Sequence, residues 1–162
     1  MYNGIINVYK EAGFTSHDVV AKLRGIFGQR KIGHTGTLDP AATGVLPVCL
    51  GQGTKLVDMI TDRSKVYEAR VLLGVTTDTE DTTGSETGRC NLPLELSDGD
   101  KEKAENTIRE VLESFAGGYE QIPPMYSAIK KDGRRLYELA REGREIERSA
   151  RRVQIHSIEL LD

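Results

Sequence analysis

Residues 33–40 read Gly-His-Thr-Gly-Thr-Leu-Asp-Pro, and Asp39 is the lone carboxylate of the stretch. The run continues Ala41, Ala42, Thr43, Gly44 and turns apolar over 45–50. Gly, Thr and Pro around a single acid make a turn that can hold a reactive side chain on a rigid support. The plainer alternative is an Asx turn or helix cap, because Asp-Pro often initiates turns. His34, Thr37 and Leu38 stand beside the acid in the same loop.

Several elements must position that loop. Ile5, Ile6, Val8 and Tyr9 predict a short first strand. Thr15 is a candidate helix cap with Asp18 three residues on, and Val19, Val20, Leu23, Ile26 and Phe27 share one helical face closed by Gly28. Residues 45–50 read as a buried strand, and Thr54 as the cap of a short helix bearing Leu56, Val57 and Ile60. Residues 65–74 read as β-rich, with Val66, Ala69, Val71 and Leu73 as candidate core. Residues 76–99 read as a polar loop. Asp100 opens a helix whose Ala104, Ile108, Val111, Leu112 and Phe115 fall on one face, closed by Gly117 and Gly118. Residues 122–130 hold two prolines and then extend, 136–144 form a short amphipathic helix, and 152–161 a last strand with a phase shift that suggests a bulge. Strands and helices without regular alternation predict an α+β fold with a mixed, largely antiparallel sheet flanked by helices and loops.

Composition is that of an ordinary globular chain: 162 residues, 38% hydrophobic and 29% charged. No apolar run approaches membrane-spanning length, and no charged leader precedes an apolar stretch at the N-terminus. Cys49 and Cys90 give neither a metal spacing nor a disulfide framework, so a reducing, cytoplasmic setting is expected. The net charge of −3 weighs against a nucleic-acid binder, but the charge is unevenly spread. Residues 1–75 carry 9 basic and 6 acidic side chains, 76–113 carry 4 and 11, and 130–152 carry 9 and 5. Either a basic face stands opposite an acidic one, or these charges only solvate a surface.

Five ordered blocks resemble the TruB family of tRNA pseudouridine synthases. They are Gly13-Phe14-Thr15-Ser16; the loop 33–50 followed by Gly51-Gln52-Gly53-Thr54-Lys55; Lys65-Val66-Tyr67-Glu68-Ala69; Thr77-Asp78-Thr79-Glu80-Asp81; and Pro123-Pro124-Met125-Tyr126-Ser127-Ala128. The resemblance implies a pseudouridine synthase-like fold and isomerisation of uridine 55 in the T-arm of tRNA. The N1–C1′ bond breaks, the base turns, and C5 joins C1′; nothing is oxidised or reduced, so no cofactor is expected. Asp39 takes the family's catalytic role, as nucleophile or as stabiliser of oxocarbenium character at C1′. The target base must leave its stack. His34 matches the family histidine that fills the vacated space, and Tyr67 the tyrosine that stacks on the uracil.

Residues 118–148 match the region of an RNA-clasping insertion. There Met125, Tyr126 and Tyr137 can wedge or stack, and Lys130, Lys131, Arg134 and Arg135 can meet phosphates. Two departures stand out. Glu11 follows Lys10 where the family usually has proline. The chain ends at Asp162, before the family's later Ser-x-Gly-Thr-Tyr-Ile-Arg motif and C-terminal RNA-binding domain. Residues 1–162 are therefore expected to be the N-terminal part of a catalytic domain from a monomeric enzyme. By themselves they are expected to have little activity and to pair with another chain through an exposed edge. A silent RNA-binding fragment and a guide-RNA-dependent relative are the alternatives.

Overall fold

The structure, a computed structural model, describes residues 1–93, 96, 99–127 and 129–161, with Lys130 described through its backbone alone. The chain forms two compact units, Met1–Ala69 and Arg70–Asp162. Among the described residues no helix is long and apolar enough to cross a membrane.

The first unit is built on a three-stranded antiparallel sheet of β1 (Gly4–Lys10), β2 (Ile32–His34) and β3 (Gly44–Leu50) in the order β1-β3-β2. The register sets Tyr9 opposite Val45 and His34 opposite Val48. Helix α1 (Ser16–Phe27) is closed at both ends as its sequence requires. Thr15 and Asp18 form a reciprocal capping box, and Gly28 takes the left-handed conformation at φ 59°. Val19, Val20 and Leu23 of α1 bury against Ile32, Leu46, Val48 and Leu50 of the sheet, with Ile6, Val8, Phe14, Phe27 and Leu38 packed around them. Each such buried aliphatic contributes about 1.5–3 kcal/mol. Ile26, expected on this face, is 74% exposed and lies at its margin. A 3₁₀ turn (Gly51–Leu56) and α2 (Val57–Thr61) follow β3. Thr54 lies inside that turn, donating its hydroxyl to the Gly51 carbonyl, and does not cap a helix as expected.

The segment expected as a strand over 65–74 is not one. Residues 64–72 have no regular structure, and Val66, Val71, Leu72 and Leu73 are exposed. A β-rich composition favours a strand, but an edge to bond to makes it one, and no described strand pairs with residues 64–72.

Among its described residues the second unit contains three antiparallel pairs. β4 (Val75–Thr77) pairs with β5 (Glu86–Arg89), so the expected polar loop over 76–99 includes a hairpin. Its turn is tied by its own acids: Asp78 accepts from the Ser85 N–H, and Asp81 from the Thr83 N–H and the Thr79 and Thr83 hydroxyls. Helix α3 (Lys101–Glu113) is capped by Asp100, but its apolar face is only partly covered, and none of its residues is fully buried. β6 (Tyr119–Gln121) pairs with β9 (Arg151–Val153). The strand expected over 152–161 is thus short, because its partner offers only three residues; beyond it, Gly117 N–H donates to the Ile155 carbonyl. Two-residue strands β7 (Lys130–Lys131) and β8 (Arg134–Arg135) close on Asp132 and Gly133, both at positive φ, which makes a tight Asp-Gly hairpin. Helix α4 (Leu136–Arg141) follows and buries Leu136 and Leu139.

Candidate active-site cleft

The loop between β2 and β3 carries Asp39, and both neighbours of that residue are fastened. The Leu38 side chain packs on the core, and its N–H donates to the Ser16 hydroxyl at 2.9 Å. The Pro40 carbonyl accepts from the Gly13 N–H at 2.8 Å and from Lys10 Nζ at 3.5 Å. Gly13 sits at φ +85°, which a side chain would resist, so the turn that offers this N–H favours glycine. The Asp39 carbonyl accepts from the Ala42 N–H at 3.0 Å, so the acid heads a turn. Its own side chain is exposed, with no described hydrogen-bond or ion-pair partner. The Asx-turn alternative required that side chain to bond locally, and it does not.

A cleft of about 840 Å³ lies in this first unit. Thr35–Leu38 and Ala41–Pro47 form one wall, and Ile60 with Arg63–Glu68 the other. Thr37, Leu38 and Tyr67 of the expected site therefore share one cavity. Asp39 is not itself part of the lining, but it is placed between Leu38 and Ala41, which are. Tyr67 is 68% exposed. Lys65 spends its amino group on the Thr61 and Arg63 carbonyls at 2.7 and 2.9 Å, where the end of α2 favours a cation. Arg63 was not singled out from sequence. It lines the cleft, with no hydrogen bond or ion pair from its side chain to a described residue, and the only signal was its place in the Asp-Arg-Ser turn after α2.

His34 closes β2, outside the cleft lining. Its Nδ1 is buried with no hydrogen-bond partner among the described residues. Thr35 beside it is buried and bonds the Pro47 carbonyl through both its N–H and its hydroxyl. Among the described residues no group of three or more His, Cys, Asp or Glu side chains is placed to share a metal ion. Burial pushes the Cys49 thiol above its ordinary range.

The remaining expected residues belong to the second unit. Met125 is half-buried beside the exposed Tyr126. Lys131, Arg134 and Arg135 are exposed as expected, while the side chain of Lys130 lies outside the described residues. Arg134 is not a free cation: Glu142 holds its guanidinium in two contacts of 2.5 and 3.1 Å. Lys131 donates to the Glu147 carbonyl. Arg135 and Arg141 lie 5.8 and 5.3 Å from the Tyr137 ring centre, within range of cation–π attraction. Arg141 had not been picked out from sequence, although its spacing of four residues from Tyr137 puts both on one side of α4.

The family model for the N-terminal domain of TruB family pseudouridylate synthases matches residues 24–162. The chain belongs to the TruB family. It is 60% identical over 159 residues to the tRNA pseudouridine synthase B of Lachnoclostridium phytofermentans, covering 98% of this chain and 49% of that protein. It is 49% identical over 160 residues to the tRNA pseudouridine synthase B of Bacillus licheniformis, covering 99% of this chain and 50% of that protein. The chain thus spans about half the length of these curated relatives. Among solved structures, a chain of a Cbf5-Nop10-Gar1 complex superposes with a TM-score of 0.58 at 28% identity, over 99% of this chain and 36% of that one. The α+β fold and the TruB resemblance read from the sequence both stand.

Proposed function

We propose that the full-length protein is a cytoplasmic, monomeric tRNA pseudouridine synthase that isomerises uridine 55 of the T-arm, without a cofactor. The observation that carries this reading is the placement of Asp39. It is an exposed carboxylate without a local partner, between two fastened residues, next to a cleft bordered by Tyr67. Relatives that are 49–60% identical bear the name tRNA pseudouridine synthase B, against 28% identity for the Cbf5 chain, which favours tRNA over a guide-directed substrate.

In this reading residues 1–162 are the N-terminal part of the catalytic domain. The extruded uridine enters the cleft between the 35–47 loop and the 63–68 segment. The Asp39 carboxylate stands beside C1′ and stabilises positive charge there, or adds to it, as the N1–C1′ bond opens. Thr37 and Leu38 shape the wall. The Tyr67 ring stacks on the base, and its phenol serves the proton lost from C5 when C5 bonds to C1′. His34 fills space vacated in the RNA. Residues 118–148 clasp the RNA, with Met125 as a wedge and Lys130, Lys131, Arg134 and Arg135 toward phosphates.

The test is release of tritium from 5-tritiated uridine in tRNA by the full-length protein. Release by the native protein and loss of about a thousandfold or more in Asp39→Asn is the expected result. Undiminished release by a folded Asp39→Asn protein would overturn the assignment. A silent RNA-binding module would bind tRNA without releasing tritium in either form.

A further inference from the structure

The Ser16 hydroxyl is 2% exposed and makes contacts in both directions with one residue, Leu38, 22 positions along the chain. It accepts from the Leu38 N–H at 2.9 Å and lies 3.4 Å from the Leu38 carbonyl oxygen as a donor. Ser16 is the first residue of α1, and the cap of that helix is Thr15. The Ser16 side chain is therefore not needed to close the helix. Its hydrogen-bonding capacity is spent on the catalytic loop.

From this we infer that Ser16 is a positioning residue for Asp39, fixing the backbone immediately before the carboxylate; the inference rests on the function proposed above. Leu38 has two restraints, apolar burial of its side chain and the Ser16 bonds to its main chain. The first fixes where the residue sits. The second fixes the orientation of its peptide groups, and the next Cα–Cβ bond, that of Asp39, follows from that orientation. Packing is non-directional and restrains this rotation less sharply than a hydrogen bond does. On the other side of Asp39, the Gly13 N–H and Lys10 Nζ restrain the Pro40 carbonyl. Lys10, Gly13 and Ser16 thus hold the loop on both sides of the acid, and Ser16 is the member of that set whose bonds end one residue before it. An acid on an exposed loop needs such support, since misplacement of about 1 Å costs on the order of a hundredfold in rate.

The experiment uses the full-length protein and compares four variants in steady-state tritium-release kinetics and thermal melting. Ser16→Ala removes both contacts, and Ser16→Cys keeps the volume with a much weaker hydrogen-bonding group. Thr15→Ala destabilises the same helix without touching Leu38. Asp39→Asn reports the site itself. The expected result is a fall in kcat of about tenfold for both Ser16 variants, with KM for tRNA unchanged within about twofold. Thr15→Ala should lose a similar amount of thermal stability at wild-type kcat. Normal kcat in a folded Ser16 variant, with Asp39→Asn inactive, overturns this inference alone. An equal loss of kcat in Thr15→Ala also overturns it, by reducing Ser16 to helix stability. An active Asp39→Asn overturns the site reading and this inference with it. Should Ser16→Ala fail to fold, the near-isosteric Ser16→Cys decides by the same criteria.

Discussion

The Nζ of Lys10 reaches the carbonyl oxygen of Pro40 at 3.5 Å across 30 residues of sequence, from a side chain with no exposed surface. The same nitrogen donates to the carbonyls of Phe14 at 2.7 Å and Glu11 at 3.0 Å, and no carboxylate among the described residues pairs with it. Main-chain oxygens alone satisfy this buried amino group. They come from the residue after β1, the turn before α1 and the β2–β3 loop, so one side chain ties three segments together. Lys10→Met keeps the length and the apolar stem but leaves those carbonyls without their donor. The expected cost is about 1–3 kcal/mol of stability, read from urea unfolding of the full-length protein. An unchanged midpoint and slope would show that water replaces the amino group without loss.

Tyr67 stands on the cleft wall as an exposed residue. Tyr67→Phe keeps the stacking face and removes the phenol. Affinity for tRNA should hold within about twofold while turnover falls at least tenfold. Tyr67→Ala should lose affinity as well, by roughly the 1–3 kcal/mol of a base–aromatic stack. Filter binding and single-turnover kinetics separate the two effects. Full turnover in Tyr67→Phe would remove the proton role and leave stacking only.

Arg63 borders the same cleft with no described partner. If RNA occupies the cleft as proposed, a phosphate is the counter-charge this side chain would meet. Arg63→Ala should weaken tRNA binding and lower the slope of log K against log salt by about 1. A slope identical to wild type across a salt titration would place this side chain outside the contact.

Asp18 gives a dependence on pH. The Thr15 hydroxyl, and after it the Thr15 N–H, donate to its carboxylate and hold its pKa below the ordinary aspartate value. A folded-state pKa below the unfolded one stabilises the protein at every pH above the unfolded value, near about 4. That contribution disappears as pH falls through the lower folded value. Asp18→Asn should therefore melt lower than wild type at pH 7 and at pH 5, with the gap closing below about pH 4. A gap constant down to pH 3 would mean that the charge contributes nothing to the cap.

Local chemistry made much of this protein legible before any coordinates. Thr15, Asp18 and Gly28 determine where α1 starts and stops, because a capping box and a left-handed glycine are settled within a few residues. The five ordered blocks carried the family. Other features depend on partners distant in sequence. Residues 65–74 are β-rich, yet 64–72 stay irregular because no described strand edge meets them. The short β2 and the 130–135 hairpin were passed over, although Asp132-Gly133 was a readable turn signal. Arg134 reads from sequence as one of a run of exposed cations, and only the structure shows Glu142, eight residues on, holding its guanidinium. The deepest case is the segment from Lys10 to Ser16. Sequence marks it as a strand end and a helix start. Only the tertiary structure brings its amino, hydroxyl and amide groups onto Leu38 and Pro40, because hydrogen bonds across 22 to 30 residues depend on how α1 and the sheet pack.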